Sequence, residues 1–323
     1  MKSLLTCALL GCVALNSFAD ERSPNILFIV ADDLGWADTN SYGSTFHETP
    51  NISRLEKDGM MLKNCHSTSP VCSPARASLM TGLYAERLGM IQPACHIPMI
   101  SLEATLPERE WPHNKVIAPK STTRLDTVFP TYAKVLRDNG YLTAHYGKWH
   151  LGVEPYSPLE HGFEVDVPHS QSHGPKGTYF GPTKYSETFT LKKGEHLEDR
   201  MADEAVKFIH ANKDRPFLLN YWAFSVHSPY FAKEELLEKY RAKAKGFPAD
   251  AHQRNPIYAG MVETFDTNVG RLLDALEDAG IADNTIIVLT SDNGGTVRSG
   301  YTREAYWGNG TAEEILDIPI TSN

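Results

Sequence analysis

Positive charge is scarce in this chain, and so are cysteine and long apolar runs. Lysine and arginine number 31 against 40 aspartates and glutamates, a formal net charge of −9. The overall field therefore repels a polyanion and argues against nucleic acid as a partner. It does not exclude a small anionic substrate, because a local cationic pocket overrides the global field. Past the N-terminus no stretch approaches the roughly 18 apolar residues of a spanning helix, which argues against stable membrane insertion of a mature chain. Internal repeats, low-complexity tracts and long linkers are missing too, and no lysine occurs after Lys245.

The five cysteines divide unevenly. Lys2, the apolar run Leu4 to Leu15 and the small-x-small site Ser17-Phe18-Ala19 read as a signal peptide over residues 1–19. Export to the periplasm or the medium is expected, and Cys7 and Cys12 would leave with the leader. Cys65, Cys72 and Cys95 remain, and an odd number in an exported protein flags one thiol with another job. Assigning Cys72 to chemistry leaves Cys65 and Cys95 as a candidate pair. With 323 residues, 41% of them hydrophobic and 22% charged, the chain has the make-up of a soluble α/β protein with a solid core.

Short apolar runs alternate with helical segments, the pattern of a mostly parallel sheet flanked by helices. Asn25 to Ala31, Tyr141 to Tyr146, Pro216 to Val226 and Thr285 to Thr290 read as buried strands. Helices are expected at Asn51 to Gly59, Pro74 to Met80, Leu125 to Asn139, Arg200 to Asn212 and Met261 to Ala279. Pro74 suits a first helical turn. The stretch Glu154 to Gly194, rich in Gly, Pro and His, reads as a long ordered insertion of the kind that shapes a pocket. Asn51-Ile52-Ser53 is a formal glycosylation sequon.

Polar residues follow the strands at telling places. Asp32-Asp33 comes directly after the first, Lys148-Trp149-His150 after the second, His227 after the third and Asp292-Asn293 after the fourth. Parallel strands end on one edge, where open α/β folds bind ligands. Alone, each acidic pair reads better as a turn or a cap. Together Asp32, Asp33, Asp292 and Asn293 form a hard, oxygen-rich set whose carboxylates repel unless a cation sits among them; Ca2+ suits it, with Mg2+ as the alternative.

Cys72-Ser73-Pro74-Ala75-Arg76 is the sharpest local signal. A cysteine just before a helix N-terminus lies where amide N–H groups favour a negative centre, and Arg76 sits one turn along. The alternatives are a small buried cysteine before a helix and a reactive thiol of low pKa. The longer segment from Ser69 to Gly82 closely resembles the signature of the formylglycine-dependent (type I) sulfatases, which belong to the alkaline phosphatase superfamily. Asn25 to Asp33, Gly147 to Gly152 and Ser291 to Gly295 match other landmarks of that family in the same order.

That resemblance implies an alkaline-phosphatase-like α/β fold and a sulfuric ester hydrolase. Cys72 would be oxidised to formylglycine by a formylglycine-generating or anaerobic sulfatase-maturing enzyme, and its hydrate would attack the sulfur of a sulfate ester. Asp32, Asp33, Asp292, Asn293 and the Cys72 derivative would hold Ca2+. Arg76 would orient the nucleophile, Lys148 would neutralise sulfate oxygens, His150 would assist collapse of the sulfated intermediate, and His227 would protonate the leaving alkoxide. The substrate would be a sulfated carbohydrate, with aryl sulfates as surrogates. His96, Arg124, His169, His173 and Lys176 are weaker candidates for contacts beyond the sulfate, and Trp111, Tyr179 and Trp222 for packing on a sugar ring.

Beyond Gly295 the landmarks stop. Family members continue with a basic segment carrying another active-site lysine and a smaller C-terminal subdomain. Residues 20–295 are thus expected as a catalytic domain, followed by a divergent or truncated tail at 296–323 and no C-terminal subdomain. Two rivals remain. One is a phosphatase or phosphonate hydrolase on the same fold, against which Cys72 argues. The other is an inactive relative that binds Ca2+ or sulfated glycan.

Overall fold

Strand β1 (Asn25–Ala31, NILFIVA) has no polar side chain after its first residue, so it needs cover on both faces, and it sits inside the sheet. The computed structural model describes residues 23–105, 115, 117, 119–248 and 253–296. The other strands in chain order are β2 (Leu142–Gly147), β3 (Val165–Val167), β4 (Thr183–Lys184), β5 (Thr190–Leu191), β6 (Phe217–Trp222) and β7 (Thr285–Ser291). Five of them form one sheet in the order β3-β2-β6-β1-β7, and every neighbouring pair is parallel. β4 and β5 make a small antiparallel pair within the insertion at 154–194.

Alternation along the strands sets two helical layers. Leu27, Ile29, Ala144, Tyr146, Leu219 and Tyr221 face a core completed by helices α1 (Pro50–Asp58), α4 (Leu197–Asn212) and α6 (Pro256–Asp278). Val30, Leu218 and Trp222 face the opposite core, with Ala77 and Met80 of α2 (Cys72–Thr81) and Ala133 of α3 (Tyr132–Asp138). Helix α5 (Glu234–Ala244) packs on α6. The result is helix, sheet, helix, the layering that a parallel sheet requires. No described helix is long and apolar enough to cross a membrane.

Each expected element is present, but α4 and α6 start early, at Leu197 and Pro256, α5 has no counterpart in the expected set, and three further shifts have a local cause. Helix α2 begins at Cys72, so Pro74 occupies its third position and Cys72 is the first helical residue instead of the one before it. The expected helix at Leu125 to Asn139 is helical only from Tyr132: Pro130 disfavours helical geometry in the residue before it, and Thr131 caps the start by accepting from the Lys134 amide. The third strand stops at Trp222 instead of Val226 because residues 223–228 turn over the strand ends. The sequon is also absorbed by the fold. Asn51 Nδ2 donates to Asp266 on α6 at 2.8 Å, and that carboxylate also accepts the Asn51 and Ile52 amides, capping α1 from another helix.

Candidate active site

Backbone hydrogen bonds carry the sheet past its last residues and pin the loops above it. The Asp32 amide donates to Ser225 O, Val226 N to Asp32 O, Asp292 N to Ala31 O and Lys148 N to Trp222 O. Asp32, Lys148 and Asp292 therefore leave the same edge side by side. Gly147 makes the close approach possible. It has φ +115°, and a Cβ there would lie 1.8 Å from Trp222 O. Asp33 and His150 both adopt left-handed backbone, at φ 60° and 56°. For non-glycine residues this strain concentrates at functional sites.

Helix α2 brings in the remaining groups. Ser73 Oγ donates to His150 O at 2.8 Å and ties the helix start to the loop after β2. Cys72 Sγ then lies 3.6 Å from Asp32 Oδ1 and 4.0 Å from Asp33 Oδ1. Arg76, four residues on, shares the Cys72 face of the helix. Its Nε donates to Asp292 Oδ2 at 2.8 Å, its Nη1 to Lys148 O at 2.6 Å, and its Nη2 lies 3.4 Å from Asp32 Oδ1. Lys148 Nζ donates to Asp32 Oδ2 at 2.6 Å. Asn293 Nδ2 donates to Asp33 Oδ1 at 2.7 Å, and Thr296 Oγ1 donates to Asp33 Oδ2 at 3.0 Å. His227 Nε2 is 3.8 Å from Asp33 Oδ2, while its Nδ1 bonds the Ser228 carbonyl.

Burial dominates the electrostatics. It pushes the Asp32 carboxyl well up, with Asp292 and Asp33 adding to the rise and Lys148 and Arg76 opposing it. Burial raises Asp292 too, but Arg76 and Lys148 outweigh it and leave that carboxyl below its usual range. The Cys72 thiol is held well above its ordinary value, first by burial and then by Asp32, Asp292 and Asp33 against the pull of Lys148. Burial and Lys148 push His227 down to about 4 against the carboxylate of Asp33.

The donor set fits a hard divalent cation. Asp32, Asp33 and Cys72 each offer a ligand atom, all within 4.8 Å of one another. Asn293 Oδ1 is buried without a hydrogen-bond partner among the described residues, a carbonyl oxygen in want of one. With all three ionised, Asp32, Asp33 and Asp292 outnumber the two cations Arg76 and Lys148 by one negative charge, which would repel a sulfate ester. A divalent ion would reverse that sign.

All nine site candidates thus come together. Of the weaker ones, His96 and His173 join the site. The His96 ring centroid is 5.4 Å from that of His150, and the His173 centroid is 4.5 Å from that of His96. The others have different work. Arg124 is buried and donates to Cys95 O, Thr123 O and Ile97 O; His169 pairs with Asp166 and Glu154; Lys176 donates to Lys184 O and Tyr185 O. Tyr179 and Trp222 are fully buried, Tyr179 Oη bonding the Phe224 and His227 carbonyls, and Trp111 lies outside the described residues. Cys65 and Cys95 do not pair: both are free, the first exposed and the second buried.

One residue that matters to the site escaped the motifs. Glu198 of α4 is fully buried, and its Oε1 accepts the Phe224 and Ser225 amides, bracing the turn that leads to His227. The available signal was its phase, since an acid at 198 shares a helix stripe with Met201, Ala205 and Phe208.

Comparison with known proteins follows the same lines. Fold and site together describe an alkaline-phosphatase-like α/β protein with an acidic, cation-suited edge. The family model for sulfatases matches residues 24–317, and the chain belongs to that family. It is 31% identical over 305 residues to N-acetylgalactosamine-6-sulfatase of Homo sapiens, a match spanning 86% of this chain and 51% of that protein. It is 29% identical over 300 residues to human arylsulfatase A, with 84% and 52% covered. Among solved structures, that of Ps i-CgsB in complex with k-i-k-neocarrahexaose superposes with a TM-score of 0.65 at 30% identity, covering 85% of this chain and 59% of that one. The chain spans about half the length of these curated relatives.

Proposed function

We propose that the chain hydrolyses sulfate monoesters of sulfated carbohydrate, with aryl sulfates as assay surrogates, through a formylglycine made from Cys72 and a bound Ca2+. The observation that carries this reading is the place of Cys72. Its thiol stands at the first turn of α2, 3.6 Å from Asp32 Oδ1 and 4.0 Å from Asp33 Oδ1, within the donor set suited to a divalent cation and beside Arg76 and Lys148. A side chain so placed can both reach the cation and face an anionic ester, as the nucleophile of this reading must. A relative named N-acetylgalactosamine-6-sulfatase and a structural neighbour solved with k-i-k-neocarrahexaose support a sugar as the carrier of the sulfate.

Asp32, Asp33, Asp292 and Asn293 would hold the cation, together with the oxidised Cys72. The cation would supply a positive charge that lowers the pKa of a hydroxyl and screens the approaching sulfate. The aldehyde, once hydrated, would supply that hydroxyl. Arg76, locked to Asp292 and to Lys148 O, fixes the start of α2 relative to the sheet edge. Lys148 shares its charge between Asp32 and the incoming sulfate oxygens, which take up negative charge as the ester bond breaks. His150 takes a proton as the sulfated residue collapses. His227 is neutral in the free site, and the anionic substrate raises its proton affinity so that it can serve the leaving alkoxide. The reacting unit is residues 20–295, behind a leader over 1–19 that directs export, and a maturation enzyme acts on Cys72 during biogenesis.

The test is peptide mass spectrometry on chain co-expressed with a formylglycine-generating enzyme, alongside aryl sulfate turnover with Ca2+. Conversion lowers the Cys72 peptide by roughly 18 Da. Turnover that follows conversion and vanishes in Cys72→Ala is the expected result. An unconverted Cys72 in the presence of a competent maturation enzyme refutes it. Conversion without turnover moves the reading to a protein that binds cation or glycan.

A further inference from the structure

His150 is buried at 3% exposure, and its two ring nitrogens have different surroundings. Nδ1 is buried and has no hydrogen-bond partner among the described residues. Nε2 lies 3.2 Å from Nδ1 of His96. His96 belongs to the loop after α2 and is exposed, so its own Nε2 edge can meet water. A neutral imidazole pair in this contact holds one proton between the facing nitrogens, and two arrangements satisfy it. In one, His96 donates and His150 carries its proton on the buried Nδ1, leaving an orphaned N–H. In the other, His150 Nε2–H donates to His96 Nδ1 and Nδ1 of His150 is a bare lone pair. An unpartnered buried N–H is the rarer and costlier of the two defects.

We propose that His96 is a positioning residue for His150: by accepting the Nε2 proton, it fixes the tautomer in which Nδ1 is the base. This rests on the sulfatase reading above. In the proton step, Nδ1 takes the proton and later releases it from the same atom, while the Nε2 proton stays on His150 throughout. The His96 lone pair then faces the imidazolium, as the orienting partner of a catalytic histidine does elsewhere. The need for such a partner is visible in the surroundings. Burial disfavours a charge on His150, and Lys148 and Arg76 resist a further positive charge there. A hydrogen-bond acceptor at Nε2 is a neighbour whose interaction strengthens when the ring is charged.

The experiment needs no turnover to begin. Long-range 1H–15N spectra of unconverted, 15N-histidine-labelled chain report which nitrogen of His150 is protonated, with His150→Gln used for assignment. The expected result is a protonated Nε2 and a bare Nδ1 in the wild type, retained in His96→Gln, whose side-chain carbonyl can still accept. His96→Ala is expected to shift His150 toward the other tautomer while melting at the wild-type temperature, since His96 is exposed. In converted enzyme, His96→Ala is expected to lower kcat about tenfold or more at little change in KM, and His96→Gln to recover most of the loss. A wild-type His150 protonated on Nδ1, or a tautomer indifferent to His96→Ala, overturns the proposal whatever the enzyme turns over. An inactive wild type with the expected tautomers would count against the sulfatase reading and leave the positioning role standing.

Discussion

Strands β1 and β7 are parallel neighbours of seven residues each, paired from Asn25 opposite Thr285 to Ala31 opposite Ser291. Both deliver a pair of oxygen-bearing side chains to the same edge, Asp32-Asp33 from one and Asp292-Asn293 from the other. Their bodies differ. β1 is covered on both faces, whereas Ile286 and Val288 of β7 are 51% and 42% exposed on the side where α2 and α3 cover its neighbours. Their ends differ too. Asp32 is held mainly by Lys148 and its carboxyl titrates high; Asp292 is held mainly by Arg76 and titrates low. Sheet position alone does not decide what a strand-end carboxylate does. Burial and the hydrogen bonds and charges around each carboxyl act together on both.

Removing Lys148 should strike the β1 end hardest. Lys148→Met leaves a buried Asp32 without its nearest cation, and losing one partner of such a pair costs roughly 3–5 kcal/mol. Urea unfolding of the variant would measure it, and aryl sulfate turnover should be lost at the same time. The strand bodies should separate almost as clearly. Ile29→Ala in β1 is expected to cost about 2–5 kcal/mol, whereas Val288→Thr in β7 should stay within about 0.5 kcal/mol. Equal losses at the two positions would show that the open face of β7 is covered in solution.

The turn between β6 and the site offers a pH test. Burial raises Glu198 from 4.5 to about 7, so the folded chain binds a proton there that the unfolded chain releases. Its contribution to stability is complete below about pH 4.5 and is lost as the pH climbs through about 7, an upper bound of about 3 kcal/mol. Glu198→Gln should flatten that part of the stability–pH curve between pH 5 and 8. Because the Ser225 carbonyl accepts the Asp32 amide, this brace serves the β1 side of the site. Last, Ca2+ at a hundredfold excess over its dissociation constant should stabilise the wild type by about 2.7 kcal/mol. Asp33→Asn should reduce the calorimetric shift, and a shift of the same size would place the ion elsewhere.

Much of this was legible in the residues because it depends on short-range pattern. A parallel strand buried on both faces reads as an apolar run, and the polar residue that follows it must lie at the edge. That reasoning placed Asp32, Lys148, His227 and Asp292 together without coordinates. It misplaced the start of α3, where apolar periodicity continued through Pro130 while the backbone could not. It left Cys65 and Cys95 as a candidate pair, because thiol count carries no distance, and the fold keeps them apart. The brace from Glu198 and the His96–His150 contact were out of reach for a common reason: each is a single side chain from a separate segment, and no local spacing records where such segments meet.

The contact between Asn293 and Asp33 joins residues 260 apart in the chain. Everything the site needs from β1, α2 and β2 has left the ribosome long before β7 can dock beside β1. Until β7 arrives, Asp292 is absent and Arg76 has no carboxylate at its Nε. Closing so long a loop is slow compared with forming the local elements. The centre is thus completed only when β7 docks, after the local elements that supply most of its groups have formed.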